Sequence, residues 1–445
     1  MDSILYWNDI ALELVKVDFT PGTEKLFPEF GGPTRTSRVL AIIHLAMYDA
    51  HAGLSGIVTY LPYSAAEQPG VVNPRAAQCA VSAAACMSML ELYTRQSKAI
   101  LDAHAAFLAS IGSSDPDLEL GLAWGRLVAA RMLAERHADG AREAVDVYAP
   151  SDAPGRHRVD PLNPNQGFLG SKWGNVAPFG IVDLTSKIAT VRPPDLIDAR
   201  YGRDYVEVIE KGRADGGTRT RHETTVGLFW AYDGASGIGV PPRLYNQVAY
   251  AAAVYRNNSE AKNARLFAML NVAMADAGIL AWHEKYLYNV WRPVVGIREA
   301  DAGWGPSRGN GGDGNAATIG DPYWVPLGAP RTNEPDKASF TPNFPAYPSG
   351  HATFGTAALR IVEQELELTD EDRFVVVSDE LDGKAIGKQG VRPRYENSVN
   401  ISTAIQENQE SRIFLGVHWR FDAEEGNRIG EEIARLIAVH FPQRA

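Results

Sequence analysis

The chain has 445 residues, 45% of them hydrophobic, which is enough to bury a sizeable core. Its 54 acidic residues outnumber its 43 basic residues and give a net charge of −11, which argues against nucleic acid or an anionic membrane as a partner. The two cysteines, Cys79 and Cys86, fall about 10 Å apart on one predicted helix, so a disulfide scaffold is excluded.

The first third of the sequence predicts a bundle of helices. It begins without a cationic segment followed by an apolar core, which predicts a cytoplasmic protein without an export signal. Polar and apolar faces on the predicted helices favour packing against one another. Apolar residues recur at helical spacing over residues 4–20, 36–54, 73–92, 95–111 and 115–138.

Irregular stretches alternate with helices in the middle of the chain. Residues 145–197 are rich in Pro, Gly, Asn and Asp, which indicates a segment that wraps a surface or shapes a pocket. Gly and Asp also dominate residues 301–346, which include Gly309-Asn310-Gly311 and form either a pocket wall or a solvated linker. Helical spacing is found between these stretches, over residues 198–211, 241–256 and 259–291.

The last third predicts helices over residues 352–366, 400–415 and 423–440, with Gly416 ending the second and Asp422 capping the third. Because no strand-rich region is found, we predict an all-α fold with two four-helix-bundle-like cores. We expect three parts in one compact unit. These are an N-terminal helical region over 1–140, an irregular wrapping segment over 141–197 and a C-terminal helical bundle with the functional site over 198–445.

The stretch Pro348-Ser349-Gly350-His351 places a tight turn before an apolar helix. A helix N-terminus offers unpaired N–H groups and a partial positive charge. Together with the Ser349 hydroxyl and the His351 imidazole, these groups would suit a tetrahedral oxyanion, and Gly350 would let it approach the backbone closely. By itself, such a turn more often marks an ordinary helix cap.

Lys285 and Arg292 are seven residues apart on what reads as one long helix. At about 100° per residue they return to nearly the same face, where both could hold one anion. The alternative is a solvated basic edge, against which the neighbouring aromatic residues argue. These neighbours are Trp282, Tyr286, Tyr288 and Trp291.

Arg412 and His418 would lie on separate faces of a continuous helix, but a helix that stops at Gly416 lets the chain turn His418 back toward Arg412. Asp422 follows four residues later and could accept a hydrogen bond that fixes the tautomer of His418. The alternative is that His418 is a structural histidine.

Taken together and in this order, the three blocks resemble the vanadium-dependent haloperoxidases and the acid phosphatases of the type 2 phosphatidic acid phosphatase superfamily. The residues around them, and the stretch from Phe229 to Asn246, are similar to the haloperoxidase versions over the C-terminal half of the chain. The blocks are Lys285-x6-Arg292-Pro293, Pro348-Ser349-Gly350-His351 and Ser411-Arg412-x5-His418-x3-Asp422.

This resemblance implies an orthovanadate cofactor. His418 would bond the metal, and His351 would be the acid–base group that assists hydrogen peroxide. Lys285 would also polarise the bound peroxide for attack by a halide. The groups that would hold the oxyanion are Lys285, Arg292, Arg412, Ser349 and the N–H of Gly350.

The same resemblance suggests roles for three further residues near the vanadate, Trp282, Phe344 and Asp233. Trp282 and Phe344 stand where chloride-oxidising relatives carry aromatic residues beside the vanadate, although both could be simple core aromatics. Asp233 resembles an aspartate that supports one vanadate-binding arginine, which a desolvated guanidinium requires.

The resemblance therefore predicts a haloperoxidase that uses peroxide to oxidise chloride or bromide and halogenates an organic acceptor, as a homo-oligomer such as a dimer. One alternative is an acid phosphatase with His418 as nucleophile, His351 protonating the leaving group and Asp422 orienting His418. The other is a non-catalytic protein that binds oxyanions.

Overall fold

The structure is a computed structural model that describes residues 1–22, 27–71, 73–112, 116–305 and 312–442. Fourteen α-helices are found in these ranges. They are α1 (Ser3–Asp18), α2 (Pro33–Ser55), α3 (Pro74–Leu92), α4 (Ser97–Ile111), α5 (Pro116–Glu135), α6 (Leu184–Lys187), α7 (Ala199–Lys211), α8 (Arg221–Phe229), α9 (Pro241–Tyr255), α10 (Glu260–Tyr288), α11 (Pro293–Arg298), α12 (Gly350–Glu365), α13 (Ile401–Phe414) and α14 (Arg420–His440).

The all-α prediction is confirmed, with two small strand pairs that the sequence did not predict. These strands are β1 (Phe374–Val377), β2 (Ile386–Gly387), β3 (Gly390–Val391) and β4 (Glu396–Val399). β1 pairs antiparallel with β4, and β2 with β3. Each strand has only two to four residues, which is too short for an alternating pattern to stand out. The first predicted residue of the fifth helix, Asp115, lies outside the described residues.

The helices form two bundles that share one core. In the first bundle α2, α3 and α5 pack together, and in the second α10, α12 and α14 do so, with α9 and α13 against α12. The contact of α2 with α10 joins the bundles. One cluster of buried apolar side chains extends from Ile4 to Phe441, so the core is continuous. The boundaries predicted at residues 140 and 197 stay a prediction.

Glycines allow the closest helix contacts in both bundles. A Cβ on Gly426 of α14 would lie 2.7 Å from the carbonyl oxygen of Ser349, beside the N-terminus of α12. A Cβ on Gly125 of α5 would lie 2.2 Å from the carbonyl oxygen of Ala80 in α3. Because no real Cβ tolerates these distances, each pair of helices depends on glycine for its spacing.

Helix α10 is the centre of the second bundle. By length and composition it could cross a membrane, but 94% of its most apolar 18-residue window is buried inside the protein, as in a core helix. It ends at Tyr288, and Asn289 adopts a left-handed conformation with φ of 59°. Arg292 therefore precedes α11, and the prediction that Lys285 and Arg292 share one helix face is wrong.

The cap of α14 also differs from the prediction. This helix begins at Arg420 with Trp419 at the N-cap position, so Asp422 lies in its first turn and is not the cap. The Asp422 carboxylate instead accepts a hydrogen bond from the backbone N–H of Trp419 at 2.9 Å. Gly416 follows the end of α13 in a left-handed conformation with φ of 70°, as predicted.

The two long irregular stretches pack against each other. The backbone N–H of Leu169 donates to the carbonyl of Asn343 at 3.0 Å, and Gln166 Nε2 donates to the carbonyl of Thr341 at 2.9 Å. Both segments line the same cavity, so the pocket-wall alternative holds for the described part of 301–346. The Gly309-Asn310-Gly311 sequence falls outside the described residues.

Candidate active site

A cavity of about 240 Å³ lies at the N-terminus of α12, between α10 and the two irregular segments. Four further predicted site residues are buried behind its wall and contact it, namely Lys285, Arg292, Ser349 and Asp422. The predicted site residues in the wall itself are Asp233, Trp282, Phe344, Gly350, His351, Arg412 and His418.

A larger cavity of about 820 Å³ lies among α2, α3 and α5, far along the chain from these residues. Two of the arginines in its wall, Arg38 and Arg136, both pair with the Asp139 carboxylate, at 2.8 and 3.1 Å. This carboxylate holds both guanidinium groups in place, and none of the predicted site residues is among the described residues that line this cavity.

The turn before α12 has the predicted form. Ser349 is the N-cap residue, and its Oγ accepts a 3.4 Å contact from the N–H of Ala352. Its own backbone N–H donates to the carbonyl of Asp422 at 2.8 Å, which ties α12 to α14. Gly350 is the first helical residue, so its N–H has no intrahelical acceptor. A Cβ at Gly350 would lie 3.1 Å from the Trp282 ring.

Lys285 forms hydrogen bonds to the backbone of this turn, which the sequence did not predict. Its Nζ donates to the carbonyl oxygens of Pro345, Ala346 and Pro348 at 2.9, 3.1 and 2.5 Å. An ammonium group has three N–H donors, so all are used. Burial, and then the charge of Arg292, lowers the pKa of Lys285 well below its ordinary value.

Arg292 connects the loop before α12 to the loop before α14. Its Nε donates to the carbonyl of Phe344 at 2.9 Å, and its Nη1 donates to the carbonyl of Val417 at 2.7 Å. Nη1 also lies 2.9 Å from Nε2 of His418. The structure therefore brings Arg292 to the predicted metal-binding histidine although the two belong to different segments.

Asp233 and Arg412 form a buried ion pair. Nη2 of Arg412 donates to both carboxylate oxygens of Asp233, at 2.9 and 3.1 Å. Burial raises the pKa of Asp233, and the charge of Arg412 opposes that rise. The pair holds the guanidinium in one orientation at the cavity wall.

His418 is oriented by Asp422. Oδ2 of Asp422 accepts from the N–H of Trp419 and lies 3.0 Å from Nδ1 of His418. Since this oxygen acts as an acceptor, Nδ1 carries the ring hydrogen and Nε2 keeps its lone pair. Burial, and then the charges of Arg292 and Lys285, lowers the pKa of His418 well below its ordinary value, so the ring is neutral.

His351 lies in the first turn of α12. Its Nε2 is 2.5 Å from the carbonyl oxygen of Ala231, which can only accept, so Nε2 carries the hydrogen. The same Nε2 is 3.9 Å from Oδ1 of Asp233. Burial, and then the charge of Arg412, lowers the pKa of His351 well below its ordinary value. The neutral ring has Nδ1 as its basic atom.

Trp282 and Phe344 form the aromatic part of the wall, with ring centroids 4.7 Å apart. Nζ of Lys285 lies 5.4 Å from the Trp282 ring and 5.2 Å from the Phe344 ring. The guanidinium carbon of Arg292 lies 5.0 Å from the Phe344 ring. Both aromatic residues therefore contact the cations and also border the cavity.

The donors of this site fit a tetrahedral oxyanion. Of the buried polar atoms that the structure describes, Nη2 of Arg292 and Nε and Nη1 of Arg412 have no hydrogen-bond partner. Three basic residues here face only two carboxylates, Asp233 and Asp422, and an anion would balance the excess. Across the described ranges, no group of three or more His, Cys, Asp or Glu could hold a metal cation.

His157 is a neighbour of this site that the sequence did not single out. It is buried, and neither ring nitrogen has a partner within the described part of the chain. Burial, and then the charges of Arg292 and Lys285, lowers the pKa of His157 well below its ordinary value. The residue is in an irregular segment without a motif, so no spacing rule could have found it.

Comparisons with known proteins agree with this geometry. The family model for the vanadium chloroperoxidase N-terminal domain matches residues 1–166, and the model for the VCPO second helical-bundle domain matches residues 265–444. Vanadium chloroperoxidase from Curvularia inaequalis is 32% identical over 94% of this chain and 79% of its own length. The chain belongs to the vanadium-dependent haloperoxidases.

As a vanadium-dependent haloperoxidase, the protein is an oxidoreductase that oxidises halide with peroxide. The predicted resemblance is thereby confirmed. Two solved structures share the fold. A bacterial vanadium iodoperoxidase has a TM-score of 0.72 at 21% identity and covers 98% of this chain and 96% of its own. A bacterial vanadium chloroperoxidase in its holo form has a TM-score of 0.66 at 16% identity, covering 95% and 96%.

Proposed function

We propose that the cavity binds orthovanadate and that this haloperoxidase oxidises chloride and bromide. Two neighbouring observations support the proposal. The lone pair of His418 Nε2 faces Arg292, and within the described residues the guanidinium groups of Arg292 and Arg412 keep nitrogen atoms without a hydrogen-bond partner. A tetrahedral oxyanion accepts several hydrogen bonds from such donors, and neutral imidazole is a good metal ligand.

Each residue has a defined task in this proposal. Arg292 and Arg412 donate to the oxyanion from their free nitrogens, and the Gly350 N–H and the Ser349 hydroxyl donate from the N-terminus of α12. Lys285 contributes positive charge and holds the Pro345–Pro348 backbone in place. A direct bond from Lys285 to the anion requires one of its three carbonyl contacts to be given up.

His418 Nε2 would be the metal ligand once its 2.9 Å contact with Nη1 of Arg292 is given up, and Asp422 keeps its ring in the required tautomer. Bound vanadate supplies Lewis acidity toward peroxide and keeps its oxidation state. His351 accepts a proton from hydrogen peroxide at Nδ1, since its Nε2 hydrogen bonds the carbonyl of Ala231. Its low pKa makes the proton easy to return to the departing oxygen.

Trp282 and Phe344 provide the halide-facing wall. Their rings exclude water from this wall. The Phe344 ring centre lies 5.2 Å from Nζ of Lys285 and 5.0 Å from the guanidinium carbon of Arg292. A desolvated halide beside a cation is held more strongly than in water. The 32% identity to a vanadium chloroperoxidase also supports chloride as a substrate.

The test is a halogenation assay with orthovanadate, peroxide and chloride or bromide in the presence of a halogen-accepting dye. We expect activity that requires vanadate and is abolished in His418→Ala. A parallel assay measures hydrolysis of an aryl phosphate without vanadate, and phosphate release without halogenation would favour the phosphatase alternative. Vanadate binding measured by calorimetry with neither activity would leave only an oxyanion-binding protein.

A homo-oligomer and a cytoplasmic location stay predictions. Light scattering of the purified protein tests the first, with a dimer as the expected form. Fractionation of producing cells tests the second.

A further inference from the structure

Arg331 is a basic residue of the cavity wall that belongs to the irregular segment 301–346 and to none of the three motifs. Arg331 borders the same cavity as His418, and the wall between them is mainly apolar, with Leu169, Val240 and Pro342 among its residues. We call this part of the cavity, from His418 to Arg331, the acceptor channel. An apolar wall with a single charge suits an organic molecule better than a small inorganic ion.

Arg331 is held in place without being neutralised. Its guanidinium carbon lies 3.9 Å from the centre of the Phe340 ring, a cation–π contact. The backbone of Phe340 pairs in both directions with that of Ala329, at 2.8 and 3.1 Å, which fixes the ring beside the arginine. No described residue forms a hydrogen bond or an ion pair with the Arg331 guanidinium, although the group is only partly exposed.

The acidic residues near Arg331 are engaged elsewhere. Burial lowers the pKa of Arg331, while Glu334 and Asp160 are near enough to oppose that effect. Glu334, however, pairs with Lys337 at 2.5 Å. Asp160 accepts hydrogen bonds from Asn163 Nδ2 and the N–H of Thr341, both at 2.9 Å. The guanidinium therefore keeps its donors for a ligand.

The wall near Arg331 is rigid enough to position that ligand. Asn343 Nδ2 donates to the carbonyl of Gln166 at 3.0 Å, and Gln166 Nε2 donates to the carbonyl of Thr341 at 2.9 Å. These contacts join the two irregular segments along the length of the channel. Residues held in this way fix the geometry of a bound molecule.

We propose that Arg331 binds the anionic group of the organic acceptor, so that the preferred acceptors are small aromatic molecules carrying a carboxylate. A guanidinium presents two parallel N–H donors to a carboxylate, whereas a halide would use only one. The volume of about 240 Å³ is below the usual range for drug-sized ligands, which limits the acceptor to about one ring. This proposal rests on the proposed function.

The chemistry balances with the reactants already named. Halide, peroxide and a proton give hypohalous acid and water. The halogen then forms a bond to a ring carbon of the acceptor, that carbon loses its hydrogen as a proton, and the hydroxide part leaves as water. Arg331 takes no part in these steps, and it determines which ring carbon faces the oxidised halogen.

The test compares 3-(4-hydroxyphenyl)propionate with its methyl ester as acceptors for the vanadate-loaded enzyme at saturating bromide. In Arg331→Gln we expect the ratio of kcat/KM for the acid over that for the ester to fall about tenfold, chiefly through KM for the acid. Lys388→Gln is the control, because it removes an exposed positive charge from the turn between β2 and β3 without touching the cavity, and its ratio should equal that of the wild type.

An unchanged ratio in Arg331→Gln would overturn the proposal, as would a rise in the KM for bromide with both acceptors, which would assign Arg331 to the halide. Calorimetry of the vanadate-loaded protein with 3-phenylpropionate and 3-phenylpropanol gives a second readout. Preference for the acid that is lost in Arg331→Gln supports the channel even without halogenation, in which case the proposed function alone fails. Halogenation without a preference for the acid would support the proposed function and overturn the role of Arg331.

Discussion

Oδ2 of Asp422 lies 3.0 Å from Nδ1 of His418 and 2.9 Å from the backbone nitrogen of Trp419. One carboxylate oxygen thus orients the proposed metal ligand and binds the first turn of α14. Because both contacts are buried, the position of His418 depends on the start of this helix as well as on its own loop.

Burial raises the pKa of Asp422 to about 8. Above that pH, Asp422→Asn should weaken vanadate binding about 10- to 100-fold, because the amide oxygen can still accept while the negative charge that supports His418 is lost. The dissociation constant is measured by calorimetry. Asp204→Asn is the control. Asp204, in α7, accepts a hydrogen bond at 2.9 Å from the N–H of Phe421 in the first turn of α14 and does not contact His418. Equal dissociation constants in Asp422→Asn and the wild type would contradict this role.

Lys285→Met should destabilise the protein even without vanadate. The substitution leaves the carbonyl oxygens of Pro345, Ala346 and Pro348 without their donor, at a cost of about 1–3 kcal/mol for each buried group that finds no other partner. Urea unfolding measures the free energy. If Lys285 acted only as a ligand to the anion, the vanadate-free variant would unfold at the same urea concentration as the wild type.

His157→Phe should change the pH dependence of stability. The unfolded chain protonates His157 below its ordinary pKa of 6.5, whereas the folded chain keeps it neutral, so folding loses stability as pH falls through that value. Relative to His157→Phe, the wild type should lose about 1.4 kcal/mol per pH unit below 6.5. Urea unfolding between pH 7.5 and 5 measures this difference.

Buried carboxyls such as Asp49 and Glu380, whose pKa values burial raises to about 7, act in the opposite sense, but both proteins share them and they cancel in the comparison. At pH 7.5 the phenylalanine variant should be at least as stable as the wild type, because it removes two buried nitrogens. Parallel stability curves over the whole range would show that folding leaves the pKa of His157 unchanged, which would contradict the prediction.

Gly426→Ala should reduce stability by about 1–3 kcal/mol and also weaken vanadate binding, because the added Cβ pushes α14 away from Ser349. Gly125→Ala is the matched control in the first bundle, where a Cβ meets the carbonyl of Ala80. It should destabilise the protein to a similar degree and leave the vanadate affinity of the folded protein unchanged. Equal loss of affinity in the two variants would mean that general loosening is responsible.

The sequence predicted the helices well, and the site residues that it named lie together at one cavity, because amphipathic spacing and short motifs are local properties. It failed where the backbone changed direction between motif residues. A left-handed Asn289 ends α10 before Arg292, and an earlier start of α14 moves Asp422 into the first turn. Asparagine adopts the left-handed conformation more readily than most residues, so Asn289 was a possible helix end, but Tyr288 and Trp291 on either side of it continued the aromatic pattern.

The hydrogen-bond partners and the burial of individual side chains were even harder to predict from the sequence. That all three donors of Lys285 meet carbonyl oxygens depends on the fold of the Pro345–Pro348 backbone, and the burial of His157 depends on how an irregular segment covers α10. Both follow from long-range packing, which one sequence read locally does not contain.

The Asp233–Arg412 pair joins residues 179 positions apart in the sequence, and Arg292 reaches His418 across 126 positions. Contacts of such separation form only at the cost of the entropy of closing a long stretch of chain. A ribosome-bound chain that lacks its last helices therefore has no oxyanion pocket. The ligand set proposed for vanadate is incomplete until Arg412 and His418 have been synthesised, so bound vanadate would stabilise the finished protein by mass action and would not guide its early folding.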